Sequence, residues 1–86
     1  MGNYTMSDLQ TIPWIGEKIE VLLNDVGVYS VEDMRKSDPE KLYDDLCDIK
    51  ASPVDRCVLY VFRCAKYFTS NKNHDPERLK WWNWKD

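Results

Sequence analysis

The sequence has little of what marks several large classes of protein. No run approaches the roughly 20 apolar residues that a transmembrane helix requires, and the first residues lack the basic and apolar regions of a secretory signal. The three cysteines form no Cys-x-x-Cys pair, and His74 is the single histidine. A disulfide framework and a His-based metal or catalytic site therefore have little support. We expect a cytoplasmic protein with reduced thiols that uses no metal, cofactor or membrane.

The small size of the chain limits its function further. Eighty-six residues suit one domain (residues 1–86), since folding units usually have about 50–200 residues. Hydrophobic residues make up 43% and charged residues 31% of the chain, which is typical of a globular protein. Such a domain has little volume for a deep cleft, and no two carboxylates are spaced for acid–base catalysis. We therefore expect a binding protein and not an enzyme.

Charge is divided unevenly along the chain, although the net charge is only −3. Residues 1–48 contain four basic and eleven acidic residues, a balance of −7, whereas residues 49–86 contain eight basic and four acidic residues, a balance of +4. The first segment should therefore repel a polyanion and the second should attract one. The two segments should also attract each other.

The spacing of turn-forming residues predicts an all-α fold of about five short helices. No segment alternates long enough to predict a strand. We expect Ser7 to cap a first helix that contains Leu9. A second helix should extend from Gly16 to about Val26, with Gly27 in a left-handed conformation after it. Its buried side chains are predicted to be Ile19, Leu22, Leu23 and Val26.

The third and fourth helices are predicted from their capping residues. Ser30 should cap a short helix, with Asp33 three residues later as in a capping box. Asp38 followed by Pro39 should begin the fourth helix. That helix is predicted to bury Leu42, Leu46 and Ile49.

The fifth helix (residues 53–69) has the strongest pattern, with Pro53 expected at its first position. Leu59 and Phe62 lie outside its main apolar stripe, so the apolar surface is wide enough for a central helix contacted from more than one side. We interpret Cys57 and Cys64, which belong to this stripe, as buried thiols. The stripe comprises Val54, Cys57, Val58, Val61, Cys64, Ala65 and Phe68.

The end of the sequence is rich in tryptophan (residues 75–86). A final short helix should begin at Asp75-Pro76, and it should dock on the core through Leu79 and one or two tryptophans. The tryptophans of this segment are Trp81, Trp82 and Trp84.

Residues 9–31 contain a motif that indicates a binding function. Ile12-Pro13-Trp14-Ile15-Gly16 precedes the second helix, and Gly27-Val28-x-Ser30-Val31 follows it. This order resembles a helix-hairpin-helix motif, in which two short helices are joined by a tight turn of pattern h-x-G-h-G, where h is apolar. The apolar residues attach the turn to the core. The resemblance implies that N–H groups at the start of the second helix hold a phosphate, which binds nucleic acid without sequence preference.

The turn departs from the motif at two positions. Trp14 stands where the pattern has its first glycine, and Glu17 places a negative charge in the first turn of the helix. Three interpretations therefore stay open. The turn packs the helices together and does nothing else, or the backbone of Ile15, Gly16 and Lys18 binds a phosphate, or Trp14 contacts another protein or an unstacked base.

A second candidate surface follows the fifth helix. Arg56, Tyr60, Arg63 and Tyr67 lie within about 60° of one another around the helix axis. Basic residues alternating with tyrosines could line a nucleic-acid groove. Alternatively, the two arginines pair with acidic residues from the first half of the chain.

Three segments spread over most of the chain carry a further resemblance: Leu9–Gly16, Asp55–Ala65 and Leu79–Asp86. Together they resemble the small bacterial pathogenicity-locus family of helix-hairpin-helix proteins. The resemblance implies a stand-alone cytoplasmic helical domain with DNA binding, and no established activity comes with it. A weak repeat 37 residues after the motif, in which Gly16 corresponds to Pro53, adds the expectation of a SAM-like fold.

We therefore expect a protein that binds nucleic acid, in particular DNA, without sequence preference. The alternative is a protein-interaction or adaptor domain that has the fold without the phosphate site. The sequence does not indicate an oligomeric state. The residues expected to bind nucleic acid are Trp14, Ile15, Gly16, Lys18, Arg56 and Arg63.

Overall fold

The computed structural model describes residues 8–85, and this part of the chain is helical without any strand. It contains four α-helices: α1 (Glu17–Asp25), α2 (Val31–Lys36), α3 (Pro39–Lys50) and α4 (Arg56–Ser70). Three short 3₁₀ helices flank them: Asp8–Thr11, Pro76–Leu79 and Trp81–Trp84. Each helix in this part of the chain is too short or too polar to span a bilayer. The predicted all-α class is confirmed, whereas the predicted Ser7 cap lies outside the described residues.

Several helix ends lie where the sequence predicts them, because local capping residues determine them. The Ser30 hydroxyl accepts the Asp33 backbone N–H at 3.1 Å at the start of α2. The Asp38 carboxylate accepts the Glu40 backbone N–H at 3.0 Å at the start of α3. Gly27 follows α1 with a φ of 88°, the left-handed conformation expected of it. Caps of this kind each stabilise a helix by about 0.5–2 kcal/mol.

Helix α4 begins three residues later than the Ser-Pro pattern predicts. Its cap is Asp55, whose carboxylate accepts the Cys57 backbone N–H at 2.9 Å. The hydroxyl of Tyr43, on α3, donates to the backbone carbonyl of Val54. This tertiary hydrogen bond holds Val54 outside the helix, so the prediction of Pro53 as the first helical residue is wrong.

Helix α4 is central, as its wide apolar surface predicts. It contacts α2, α3 and both C-terminal 3₁₀ helices. Leu59 and Phe62, outside the predicted stripe, are only 2% and 0% exposed, whereas Cys57, predicted to be buried, is exposed. The core therefore covers the side of the first turn that carries Leu59 and leaves Cys57 in the same turn exposed. The burial of Leu59 and Phe62 fits the wide apolar surface expected of this helix, whereas the prediction of a buried Cys57 is wrong.

The core continues through α3 but ends before its last turn. Leu42 and Leu46 are buried as predicted, whereas Ile49 is 54% exposed. Ile49 shares a face with Leu42, because seven residues make nearly two full turns of helix. The apolar periodicity of α3 identifies which face of the helix points to the core, but not how far the neighbouring elements extend along that face. The prediction of a buried Ile49 is therefore wrong.

The tryptophan-rich segment folds back onto α4 as two 3₁₀ helices and not as the single helix predicted. The Asp75 carboxylate begins the first by accepting the Glu77 backbone N–H at 3.0 Å. Trp81, in the second, packs against the core and stacks on Tyr60 with 6.5 Å between ring centroids. Docking through a tryptophan is therefore confirmed for Trp81.

Candidate functional site

The turn before α1 (residues 12–16, called here the Pro13 turn) is anchored by two buried isoleucines. Ile12 and Ile15 are 1% and 4% exposed. The backbone N–H of Ile12 donates to the Leu9 carbonyl at 3.0 Å, and that of Ile15 donates to the Ile12 carbonyl at 3.2 Å. The expectation that these apolar residues attach the turn to the core is confirmed. The residues between and after them, Trp14 and Gly16, are left exposed.

In the described part of the chain, no side chain caps the start of α1. Gly16 precedes the helix in an extended conformation, and nothing lies within 4 Å of the position that a Cβ would occupy there. The first backbone N–H groups of a helix have no partner within it, so those of α1 are available to an anion. The first turn also carries Glu17 and Glu20 beside Lys18. Its side-chain charge therefore opposes the attraction that the helix dipole exerts on an anion.

Trp14 adopts a left-handed backbone conformation, with a φ of 72°. For a residue with a Cβ this conformation costs about 1–2 kcal/mol. The indole N–H of Trp14 donates to the backbone carbonyl of Leu79, and the ring meets that of Trp82 edge to face at 5.6 Å. The residue that departs from the glycine of the motif thus joins the Pro13 turn to the C-terminal segment.

Trp14 and Trp82, called here the Trp pair, form an aromatic surface that faces solvent. Trp14 is 48% exposed and Trp82 is 42% exposed. Behind them, Trp82 meets Trp81 edge to face at 5.8 Å, and Trp81 stacks on Tyr60 of α4. A chain of aromatic contacts therefore holds the pair on the core. Because two residues span at most about 7 Å, the backbone of Trp14 lies close to Gly16 and the start of α1.

The two arginines of the predicted site lie on α4, at its contacts with α3 and the C-terminal segment. Arg63 Nε donates to Glu40 Oε2 at 2.6 Å, and its Nη1 donates to the backbone carbonyl of Trp84 at 2.7 Å. The guanidinium of Arg56 lies over the ring of Tyr43 at 5.6 Å. The predicted pairing with the acidic half of the chain is confirmed for Arg63. The six predicted residues therefore divide into three in the Pro13 turn, Lys18 in the first turn of α1, and two on α4.

Two of the thiols, those of Cys57 and Cys64, are poorly suited to nucleophilic chemistry. Burial raises the pKa of the Cys64 thiol to about 11. A hydrogen bond with the Asp55 carboxylate raises the pKa of the Cys57 thiol. Both thiols are therefore protonated at neutral pH, and the thiolate is the reactive form. Within residues 8–85, no three His, Cys, Asp or Glu side chains are grouped so that they could hold a metal ion.

Sequence reasoning singled out Trp14 but missed its partner Trp82. The two residues are 68 positions apart in the chain, and no local pattern links them. The composition, with four tryptophans in 86 residues, indicated large rings to be packed but not which of them stay exposed. The contact is a product of the tertiary fold.

A comparison with protein-family models matches residues 3–86 to the family described as pathogenicity locus (Cdd1). Comparisons with curated proteins and with solved structures gave no match. The family description specifies neither an activity nor a ligand. The function has to be argued from the geometry of the Pro13 turn and its surroundings.

Proposed function

This chain belongs to the pathogenicity-locus family, and we propose that it binds single-stranded nucleic acid, without sequence preference, at the Pro13 turn. One observation carries the proposal. Trp14, one member of the exposed Trp pair, lies two residues before Gly16, the residue that precedes α1, which suits an unpaired base with its neighbouring phosphate. We also propose that residues 9–31 are a helix-hairpin-helix motif within a SAM-like fold.

The two halves of this surface suit the two parts of a nucleotide. Stacking of a base on an aromatic side chain is worth about 1–3 kcal/mol, and every base has a face that can stack. Backbone N–H groups at a helix start donate hydrogen bonds to a phosphate oxygen without reading the base. In a duplex the bases are stacked on one another and unavailable to Trp14 or Trp82. Single strands should therefore bind more tightly than duplexes.

The charge around the turn indicates that binding involves few phosphates. Lys18 is the basic residue of the first turn of α1, and Glu17 and Glu20 oppose it. For single strands, the logarithm of the binding constant falls with the logarithm of salt concentration by about 0.7 per phosphate neutralised. Contact with one or two phosphates predicts a shallow slope of about −1. A broad basic surface would give a much steeper one.

A protein-interaction role is the second candidate, and the same acidic first turn favours it. Tryptophan is enriched at the energetic centres of protein interfaces, and the helix that follows Trp14 carries Glu17 and Glu20 in its first turn. This arrangement suits a partner surface that is apolar at its centre and basic at its rim. Neither candidate requires the protein to catalyse a reaction.

Fluorescence anisotropy with a labelled single-stranded oligonucleotide of about 16 nucleotides, a length that covers one binding module, tests the proposal. Trp14→Leu and Trp82→Leu should each weaken binding by about fivefold or more, since each removes part of the stacking surface. Tyr29→Leu is the matched control, because Tyr29 is an exposed aromatic residue outside the Trp pair. Circular dichroism checks that each variant is folded.

Glu17→Gln gives a test with the opposite sign. Removing the negative charge from the first turn of α1 should tighten oligonucleotide binding by about twofold to fivefold, since such charges are worth about 0.3–1 kcal/mol. Absence of binding at low salt, or equal affinities for the parent protein and Trp14→Leu, would overturn the proposal. In that event the Trp pair would stand as a surface for a protein partner.

A further inference from the structure

A groove separate from the Pro13 turn lies where α3, α4 and the C-terminal segment meet. Its volume is about 650 Å³, within the roughly 300–1,000 Å³ of small-molecule sites. The start of α3, the second half of α4 and residues 83–85 line it. Residues from the acidic segment (1–48) and from the basic segment (49–86) both line the groove, and most of them belong to the basic segment.

Two aromatic side chains, Tyr67 and Trp84, are among the residues that line the groove. The rings of Trp84 and Tyr67 lie 5.7 Å apart, centroid to centroid. The indole N–H of Trp84 donates to the Arg78 carbonyl at 2.7 Å, and the Tyr67 hydroxyl accepts the Asp75 backbone N–H at 2.8 Å. Because these polar atoms already have partners within the protein, the two side chains offer a ligand mainly ring surface. That surface suits a flat, apolar group.

The charge of the groove is positive. Among residues 8–85, Arg63, Lys66 and Lys85 line it together with the carboxylate of Glu40, which is bound by Arg63 at 2.6 Å. Lys66 Nζ donates to the backbone carbonyl of Arg35, a neutral acceptor that positions the ammonium group without cancelling its charge. Within residues 8–85, no carboxylate lies within ion-pair distance of Lys66 or Lys85. The groove is therefore complementary to an anion.

We propose that this groove binds a nucleoside phosphate, with the base against Trp84 and Tyr67 and the phosphate on Lys66 and Lys85. An aromatic surface beside cations matches a ligand that is flat at one end and anionic at the other. An acidic peptide would satisfy the lysines but would leave the ring surface without a matching group. The same chemistry is offered by a free mononucleotide and by the phosphorylated end of a strand. This site does not depend on the Pro13 turn.

A titration followed by ¹H–¹⁵N NMR tests the site with three probes: adenosine monophosphate, adenosine and inorganic phosphate. The monophosphate should saturably shift the backbone amides of Lys66 and Tyr67 and the indole N–H of Trp84 at concentrations near 1 mM, a range reached by weak specific sites. Adenosine and phosphate should each bind at least about tenfold more weakly, because each engages one half of the groove. Oligonucleotides with and without a 5′-phosphate then distinguish a strand end from a free nucleotide as the source.

Charge-removing variants locate the phosphate. Lys66→Gln and Lys85→Gln should each weaken binding of the monophosphate by about fivefold, the effect of losing about 1 kcal/mol. Lys72→Gln makes the same change in charge outside the groove and is the matched control. Trp14→Leu should leave affinity for the monophosphate unchanged, so failure of this proposal is distinguishable from failure at the Pro13 turn.

Three results would overturn the proposal. The first is the absence of a saturable shift with the monophosphate. The second is an equal loss of affinity in Lys72→Gln and in the groove variants, which would indicate a general charge effect. The third is an oligoglutamate peptide that shifts the groove amides while the monophosphate does not, which would make the occupant an acidic peptide.

Discussion

The contact between Trp14 and Trp82 can be measured by a double-mutant cycle for unfolding. The variants are Trp14→Leu, Trp82→Leu and the two together. Edge-to-face aromatic pairs contribute about 0.5–1.5 kcal/mol beyond their buried area. Both rings are about half exposed, so we expect a coupling energy at the low end, about 0.5–1 kcal/mol.

The choice of leucine keeps the other contributions constant. Leucine retains a Cβ, so the cost of the left-handed conformation at position 14 is present in every variant. Trp14→Leu also loses the hydrogen bond to the Leu79 carbonyl, and Trp82→Leu also loses the contact with Trp81. Each of these losses occurs in a single variant and again in the double variant, so it cancels from the coupling energy.

Urea unfolding should be followed by far-ultraviolet circular dichroism, because the substitutions remove tryptophans and change the fluorescence. Linear extrapolation gives the free energy of unfolding of each variant, provided that the four m-values agree. A coupling energy below about 0.3 kcal/mol, the usual limit of additivity for independent sites, would refute the contact. The aromatic surface of the proposed function would then not exist in solution.

Three further predictions concern stability. Ala51 ends α3 in a left-handed conformation with a φ of 55°, so Ala51→Gly should stabilise the protein by about 0.5–1 kcal/mol and raise the melting temperature by several degrees. Ser30→Ala removes the cap of α2 and should lower the free energy of unfolding by about 1 kcal/mol in urea; no change would mean that the cap is not formed. Burial raises the pKa of Cys64 from 9.0 to about 11, so between these pH values the unfolded chain releases a thiol proton that the folded chain keeps. Stability should therefore fall as pH rises from 9 to 11, and thermal melts of Cys64→Ala should show a smaller fall; an equal fall would contradict the burial of this thiol.

Features set by neighbouring residues could be predicted from the sequence. The caps at Ser30 and Asp38 and the left-handed Gly27 depend on side chains and dihedral preferences within a few residues. The start of α4 could not be predicted in this way, because the Tyr43 hydroxyl holds the Val54 carbonyl from a different helix. The wrong start thus reflects a tertiary hydrogen bond that outweighs a local proline signal.

Some features of the candidate site could likewise be predicted from the sequence, and others could not. The buried Ile12 and Ile15 follow from the apolar pattern of the Pro13 turn, and the pairing of Arg63 with Glu40 follows from the opposite charges of the two halves of the chain. The Trp pair does not follow, because Trp82 reaches Trp14 only when the C-terminal segment has folded back along α4. The groove beside Trp84 is likewise assembled from three distant segments.

The central claim is that nucleic acid binds at the Trp pair and the start of α1. An NMR titration of the ¹⁵N-labelled protein with an unphosphorylated single-stranded oligonucleotide at low salt tests it most directly. We predict that the largest shifts occur at the indole N–H groups of Trp14 and Trp82 and at the backbone amides of residues 15–19, and that a duplex of the same sequence produces smaller ones. The absence of shifts at these groups, or shifts confined to other parts of the protein, would contradict the claim.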